Sequence, residues 1–298
     1  MPRPLRLFLR NGWETASQRN DTIALPMQFS DLELSKRLER AEGVACAQYA
    51  EARRQLFPSS GAEAIECAGA NVVFDGVDSP CTQTFGLGLF AELTPTALDE
   101  IERFFLDRGA PVYHEVSPFA GIAALELLCD RGYKPFELTS ILYCPIAAES
   151  SANTAAADEQ ITVRVTGPDE ARLWNEVSTR GWTHDHPELI EFMSELGAIS
   201  SARTGCVCFL AEIDGHAGAA GALNIHEGIA LFGGAATAPE MRRRGLQTAL
   251  LHERMKYARE HGCDLAMMGA LPGSNSQRNV ERQGFRIAYT RTKWRLAR

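Results

Sequence analysis

The stretch Thr237-Ala238-Pro239-Glu240-Met241-Arg242-Arg243-Arg244-Gly245-Leu246-Gln247-Thr248 holds the residue types and spacing that point to chemistry. An apolar strand ends, a short basic loop follows, and a long helix begins. Amides at a helix start have no partner within the helix, and the helix dipole adds positive potential there. Such a start holds anions. Gly245 lets the backbone come close to a ligand, because no Cβ stands in the way. Arg242, Arg243 and Arg244 add charge-assisted donors. Several converging amides suit a pyrophosphate better than a lone carboxylate. The competing reading is a solvated arginine cluster ahead of a helix.

Groups that could move protons lie elsewhere. His226 and Glu227 occupy the turn before the strand Ile229–Thr237 and read either as a solvated hairpin turn or as a base. The segment Trp182-Thr183-His184-Asp185-His186 joins two helical stretches. Two histidines two residues apart in a loop, with no second ligand pair, do not match a zinc site. Eight cysteines include no CxxC; Cys206 and Cys208 would share one face of a strand and are expected to be packed neutral thiols. No metal is expected.

Elements must position these groups. In the second half, strands are predicted over Ile161–Val165, Cys206–Ile213, 219–225, Ile229–Thr237, 265–269 and 286–295. Helices are predicted over 169–180, 187–196, 246–261 and 274–283, the last with a capping box from Ser274 to Gln277. The first half ends on a similar order: strand 82–89, helix 96–108, strand 112–116, helix 119–131, strand 136–143. Asp130-Arg131-Gly132-Tyr133 and Arg282-Gln283-Gly284-Phe285 close the last helix of each half, which reads as a distant duplication. Residues 147–160, rich in Ala, Ser and acids, read as a linker between a domain at 1–146 and one at 161–298. The fold class is α/β (α+β, mixed sheet): two domains, each a central mixed sheet flanked by helices.

Composition narrows the function. A chain of 298 residues with 45% hydrophobic and 23% charged residues is ordinary for a soluble globular protein and large enough for two domains. A net charge of −8 argues against nucleic acid or an anionic membrane as partner. No apolar run reaches the ~18–20 residues that cross a bilayer. Residues 1–10 lack the apolar core of a signal peptide, so a cytoplasmic location with reduced cysteines is expected.

The segment Pro239 to Leu251 resembles motif A of the GNAT acyltransferase superfamily, (Gln/Arg)-x-x-Gly-x-(Gly/Ala), with Arg242 to Leu246 in register and Gln247 where Gly or Ala is usual. Ser276 to Phe285 resembles the following motif B. The resemblance covers roughly residues 161–298; the first half matches in element order alone and is read as a degenerate copy, with Glu92, Asp99 and Glu100 and no arginine in its equivalent loop.

The resemblance implies acetyl-CoA as cosubstrate, held without a metal in a V-shaped opening beside the strand ending at Thr237. The backbone at Ala235, Ala236 and Thr237 would take the pantetheine and thioester. Arg242, Arg243, Arg244, Gly245, Leu246, Gln247 and Thr248 would take the pyrophosphate, and Ser276 and Asn279 would belong to the same site. Trp182 and His184 would shape the acceptor pocket. The implied reaction is direct attack by the amine of a small molecule or peptide in a ternary complex. Many family members carry a tyrosine four residues before the motif-B glycine as general acid; Val280 stands there, leaving solvent or Tyr289 as proton donor and His226 or Glu227 as base. The alternative is a non-catalytic acyl-CoA-binding or sensing protein of the same fold. Acceptor identity is undetermined, and a homodimer is left open.

Overall fold

The computed structural model of the chain describes residues 29–147, 161–184 and 187–297. Nearly all of the expected linker lies outside them, as do Asp185 and His186. The first half runs α1 (Leu32–Leu56), β1 (Glu63–Cys67), β2 (Ala70–Phe74), β3 (Gln83–Phe85), α2 (Pro95–Leu106), β4 (Tyr113–Val116), α3 (Ile122–Asp130) and β5 (Tyr133–Pro145). The second runs β6 (Ile161–Val165), α4 (Ala171–Thr183), α5 (Ile190–Ala202), β7 (Cys206–Ile213), β8 (His216–His226), β9 (Ile229–Thr237), α6 (Leu246–Glu260), β10 (Leu265–Ala270), α7 (Asn275–Glu281) and β11 (Arg286–Leu296). The repeated order is present as α2-β4-α3-β5 and α6-β10-α7-β11.

The sequence reading assigned no element to the region of α1. The helix starts where the Asp31 carboxylate accepts the Leu34 amide at 2.8 Å, and it stops ahead of Pro58. Leu34, Leu38, Ala41, Ala45 and Tyr49 recur at steps of three and four and form its buried face.

Among the described residues, all strands join one eleven-stranded mixed sheet, in the order β1-β2-β3-β4-β11-β5-β10-β9-β8-β7-β6. The halves are interleaved. β11 lies between β4 and β5, and β5 lies between β11 and β10. Each half therefore lends its last strand to the other, and no sheet edge is left at the junction. Helices α1, α4 and α5 cover one face, where Leu38, Ile141 and Met267 pack together and Trp174 meets Leu210. Helices α2, α3, α6 and α7 cover the other, over cores around Leu98 and Leu250. Among the described residues, no helix is long and apolar enough to cross a membrane.

Two pairs of parallel strands open like a V. β9 and β10 pair only over Ile229–Leu231 with Leu265–Met267, and β9 then continues toward Thr237 paired with β8 but not with β10. In the first half, β3 and β4 pair only at Thr84 and His114. That opening is filled: Leu87, Leu93 and Leu98 join the core below α2. β3 ends at Phe85, not at 89 as expected, and the loop contains Gly86 and Gly88, both at positive φ. These glycines face the chain itself. A Cβ on Gly86 would meet the Phe90 ring at 2.6 Å, and one on Gly88 would meet Ala124 at 3.2 Å. Thr94 caps the α2 start by accepting the Ala97 amide.

Candidate active site

A cavity of about 530 Å³ lies in the second V, between β9, β10, α6 and α7. Three local features shape it. The first is a bulge on β9. Ala222 pairs with Gly233 and Ala220 with Ala236, so two residues of β9, Gly234 and Ala235, stand opposite Gly221 alone. Gly234 sits at φ +60°, a conformation that favours glycine. Gly233, Gly234 and Ala235 line the cavity, so backbone released from the ladder faces it.

The second feature is the basic loop. Arg243 has φ +64° and Gly245 φ +85°, two left-handed residues that curl the chain before α6. Among the described residues no side chain caps α6, and the first intrahelical bond runs from the Ala249 amide to the Gly245 carbonyl. The amides of Leu246, Gln247 and Thr248 are therefore free for a ligand. The Gln247 side chain instead donates to Thr237 Oγ1 at 2.6 Å and ties the helix start to β9. Arg243 lines the cavity. Arg242 turns toward α4, donating to the Gly181 carbonyl at 3.3 Å, and Arg244 lies beside Met241; neither lines the cavity.

The third feature is α7. Ser274 Oγ accepts the Gln277 amide at 3.2 Å as the capping pattern predicts, while Gln277 reaches back to the Gly273 amide. The helix brings Ser276, Asn279 and Val280 to the cavity wall.

The acceptor-side expectations divide. Trp182, half exposed at the end of α4, lines the cavity. His184 follows at the α4 C-cap and is not part of the lining. Ala236 also lies outside the lining, because it faces α4: a Cβ on Gly181 would stand 2.7 Å from Ala236 Cβ and 2.9 Å from the Thr237 amide. Gly181→Ala should therefore push α4 off the bulge. A loss of about 1–3 kcal/mol in urea melts is expected, together with weaker ligand binding; wild-type stability in that variant would remove the contact's importance.

The proton-transfer candidates are not brought to the cavity. His226 and Glu227 form the hairpin turn at the far end of β9, their side chains 29% and 82% exposed, and Glu227 has φ +44°. Tyr289 is buried on β11, two strands beyond β10, where its hydroxyl donates to Glu39 at 2.8 Å. Burial, with the Glu39 charge beside it, holds that phenol well above its ordinary range. Val280 is packed in the core with Phe285. At Cys206, a hydrogen bond from Cys208, helped by the Arg203 guanidinium at 3.5 Å, lowers the thiol from its ordinary range against burial.

Arg254 and Arg282 line the cavity and were not anticipated. Arg282 lies in the helix-closing word Arg282-Gln283-Gly284-Phe285, whose repeat drew attention to glycine instead. With Arg243 they are the charged residues of the described lining, which contains no Asp, Glu, His, Lys, Cys or Tyr. A second hollow of about 600 Å³ lies between α1 and β1, lined by the paired Glu51 and Arg54 and by small residues, far from this chemistry.

Residues 171–285 match the family model "Acetyltransferase (GNAT) family". That match lies within the carboxy-terminal half and covers less than half of the chain. Among solved structures, a GCN5-related N-acetyltransferase from Kribbella flavida is similar at 15% identity and TM-score 0.61, over 89% of this chain and 96% of that one. A tandem GNAT protein from the clavulanic acid biosynthesis pathway matches at 12% identity and TM-score 0.53, over 77% and 79% of the two chains. A GCN5-related N-acetyltransferase from Sphaerobacter thermophilus matches at 17% and 0.52, over 86% and 91%. At these identities the likeness carries the fold. No curated protein matches the chain significantly.

Proposed function

We propose that this protein is an acyl-CoA-dependent N-acyltransferase using acetyl-CoA, with the β9–β10 cavity as its donor site. The observation that carries the reading is the uncapped, left-handed start of α6 at the mouth of a cavity with three arginines and no described carboxylate. Amides of Leu246, Gln247 and Thr248 with Arg243 bind the pyrophosphate, and the β9 bulge offers backbone donors to the thioester oxygen. The acceptor amine arrives from the α4 side, past Trp182. Its nitrogen bonds to the carbonyl carbon, the C–S bond breaks, and CoA leaves with the electron pair. The amine's proton leaves through water, since the described lining holds no base. His226, Glu227 and Tyr289 have no part in this step.

Titration calorimetry tests the reading. Acetyl-CoA should bind at one site per chain, because the equivalent opening in the first half is filled and its α2 start is already capped by Thr94. Two sites per chain would refute the first-half assignment, and no binding would refute the function. A panel of amines should then show turnover. Binding without turnover across that panel would favour the acyl-CoA sensor, a reading that Val280 supports.

Attack in a ternary complex also predicts no acyl-enzyme. No cysteine lines the cavity among the described residues. Mass spectrometry after mixing with acetyl-CoA alone should show the unmodified mass, and a stoichiometric adduct chased by amine would overturn direct attack.

A further inference from the structure

Arg254 is a cation that the helix pattern does not explain. It falls on the apolar stripe of α6 with Leu246, Leu250, Leu251 and Ala258 and is 4% exposed. Among the described residues, no carboxylate pairs with it. Nε donates to the Leu250 carbonyl at 3.2 Å, and Nη1 donates to the carbonyls of Ala222 at 3.2 Å and Gly233 at 3.4 Å. The guanidinium lies 4.8 Å from the Phe232 ring centre. Burial pulls it down to about 10, so it stays charged at neutral pH. The contrast within the same chain is sharp: buried Arg291 meets Glu39, Glu42 and Glu115, and Arg53 meets Asp75 and Glu195. A buried cation without a counter-ion is costly, and this one lines the donor cavity.

Its position is specific. Ala222 and Gly233 are the register pair next to the bulge, and Arg254 ties their carbonyls together. It also stands about two and a half turns, or about 13 Å, into α6 from Gly245, well beyond the anion-binding amides.

Resting on the acyl-CoA reading above, we propose that Arg254 is a positioning residue that pins the β9 bulge and whose uncompensated charge holds the departing CoA as a thiolate. The electron pair of the broken C–S bond stays on sulfur opposite this guanidinium, and solvent protonates the thiolate after release. A separate proton donor, missing at Val280, is then unnecessary. Arg243 and Arg282 are the other charges facing the cavity among the described residues, and no acid opposes them.

The test uses free CoA and the full chain, so it does not depend on the acceptor. Thiolate absorbance of bound CoA is titrated against pH in wild type, Arg254→Lys and Arg254→Gln, with desulfo-CoA affinity measured alongside. In wild type the bound thiol should titrate about 1–3 pH units below free CoA. Lysine should keep most of that shift. Glutamine, which keeps donors but not charge, should lose it while still binding desulfo-CoA. Bound CoA that titrates like free CoA in wild type overturns the proposal without any variant and leaves the donor site standing. A full shift in the glutamine variant also overturns it. Failure of wild type to bind CoA at all would instead remove the acyl-CoA reading.

Discussion

Gly245→Glu should cost the protein acetyl-CoA affinity by at least about 100-fold while the chain still melts cooperatively. Gly245 is the N-cap of α6 at φ +85°, and the amides beyond it have no side-chain cap. A glutamate there does two things. It forces a Cβ into a left-handed conformation, costing about 1–2 kcal/mol, with Ile161 Cδ1 3.3 Å away and able to yield. It also puts a carboxylate beside the three free amides, where the helix dipole favours it and where it competes with the pyrophosphate. Repulsion between unit charges a few ångströms apart near a protein surface is about 1–4 kcal/mol, and pyrophosphate carries more than one charge. Gly245→Ala separates the causes, because it has the strain without the charge. Calorimetry should rank the affinities wild type, then Ala, then Glu by a wide margin. Unchanged affinity in the glutamate variant would mean that the loop is not the anion site.

Arg291→Met should destabilise the fold by about 3–5 kcal/mol near neutral pH. Arg291 is 2% exposed on β11. It forms a two-pronged pair with Glu42 at 2.7 and 2.9 Å, reaches Glu39 at 3.2 Å, and lies 2.8 Å from Glu115. Glu39 and Glu42 stand on α1 and Glu115 on β4, so this one side chain ties the last strand of the chain to the first half. Methionine fills the volume but leaves the buried Glu39 and Glu115 and the partly buried Glu42 without their cation, the situation that makes loss of a buried pair expensive. The effect depends on pH with a definite sign. Burial raises Glu39 from 4.5 to about 7, with Arg291 opposing the rise. The native state thus holds this proton more tightly than the unfolded chain. Stability from Glu39 is greatest below about 4.5 and declines as pH rises through about 7. Without Arg291 the carboxylates lose the charge that favours ionisation, so the decline should steepen and extend to higher pH. Urea melts from about pH 5 to about pH 8 should show the gap between wild type and variant widening. A gap under about 1 kcal/mol at pH 7 would mean that the cluster does not couple the halves.

The amino-acid sequence by itself determined the local parts of the candidate site. A basic loop with Gly245 ahead of an amphipathic helix announces α6 and its uncapped start, because capping, left-handed glycine and helical periodicity act within about twenty residues of chain. Motif A and the helix–Gly–aromatic closures are local in the same sense, and the repeated α2-β4-α3-β5 and α6-β10-α7-β11 order follows from them. The tertiary structure decided what depends on partners distant in sequence. The interleaving of β5 and β11 is a choice of hydrogen-bonding partner, and strand periodicity carries no record of which neighbour is taken. The β9 bulge exists only as a mismatch of residue number against β8, so Gly233-Gly234-Ala235 on its own does not reveal it. Residue type suggested His226, Glu227 and Tyr289 for proton transfer, but the hairpin's distance and the β11 position take them away from the cavity. Arg254 shows the limit most directly: helical spacing marks its place as core, and only the assembled sheet supplies the carbonyls that let a charged side chain stay there, facing the donor cavity.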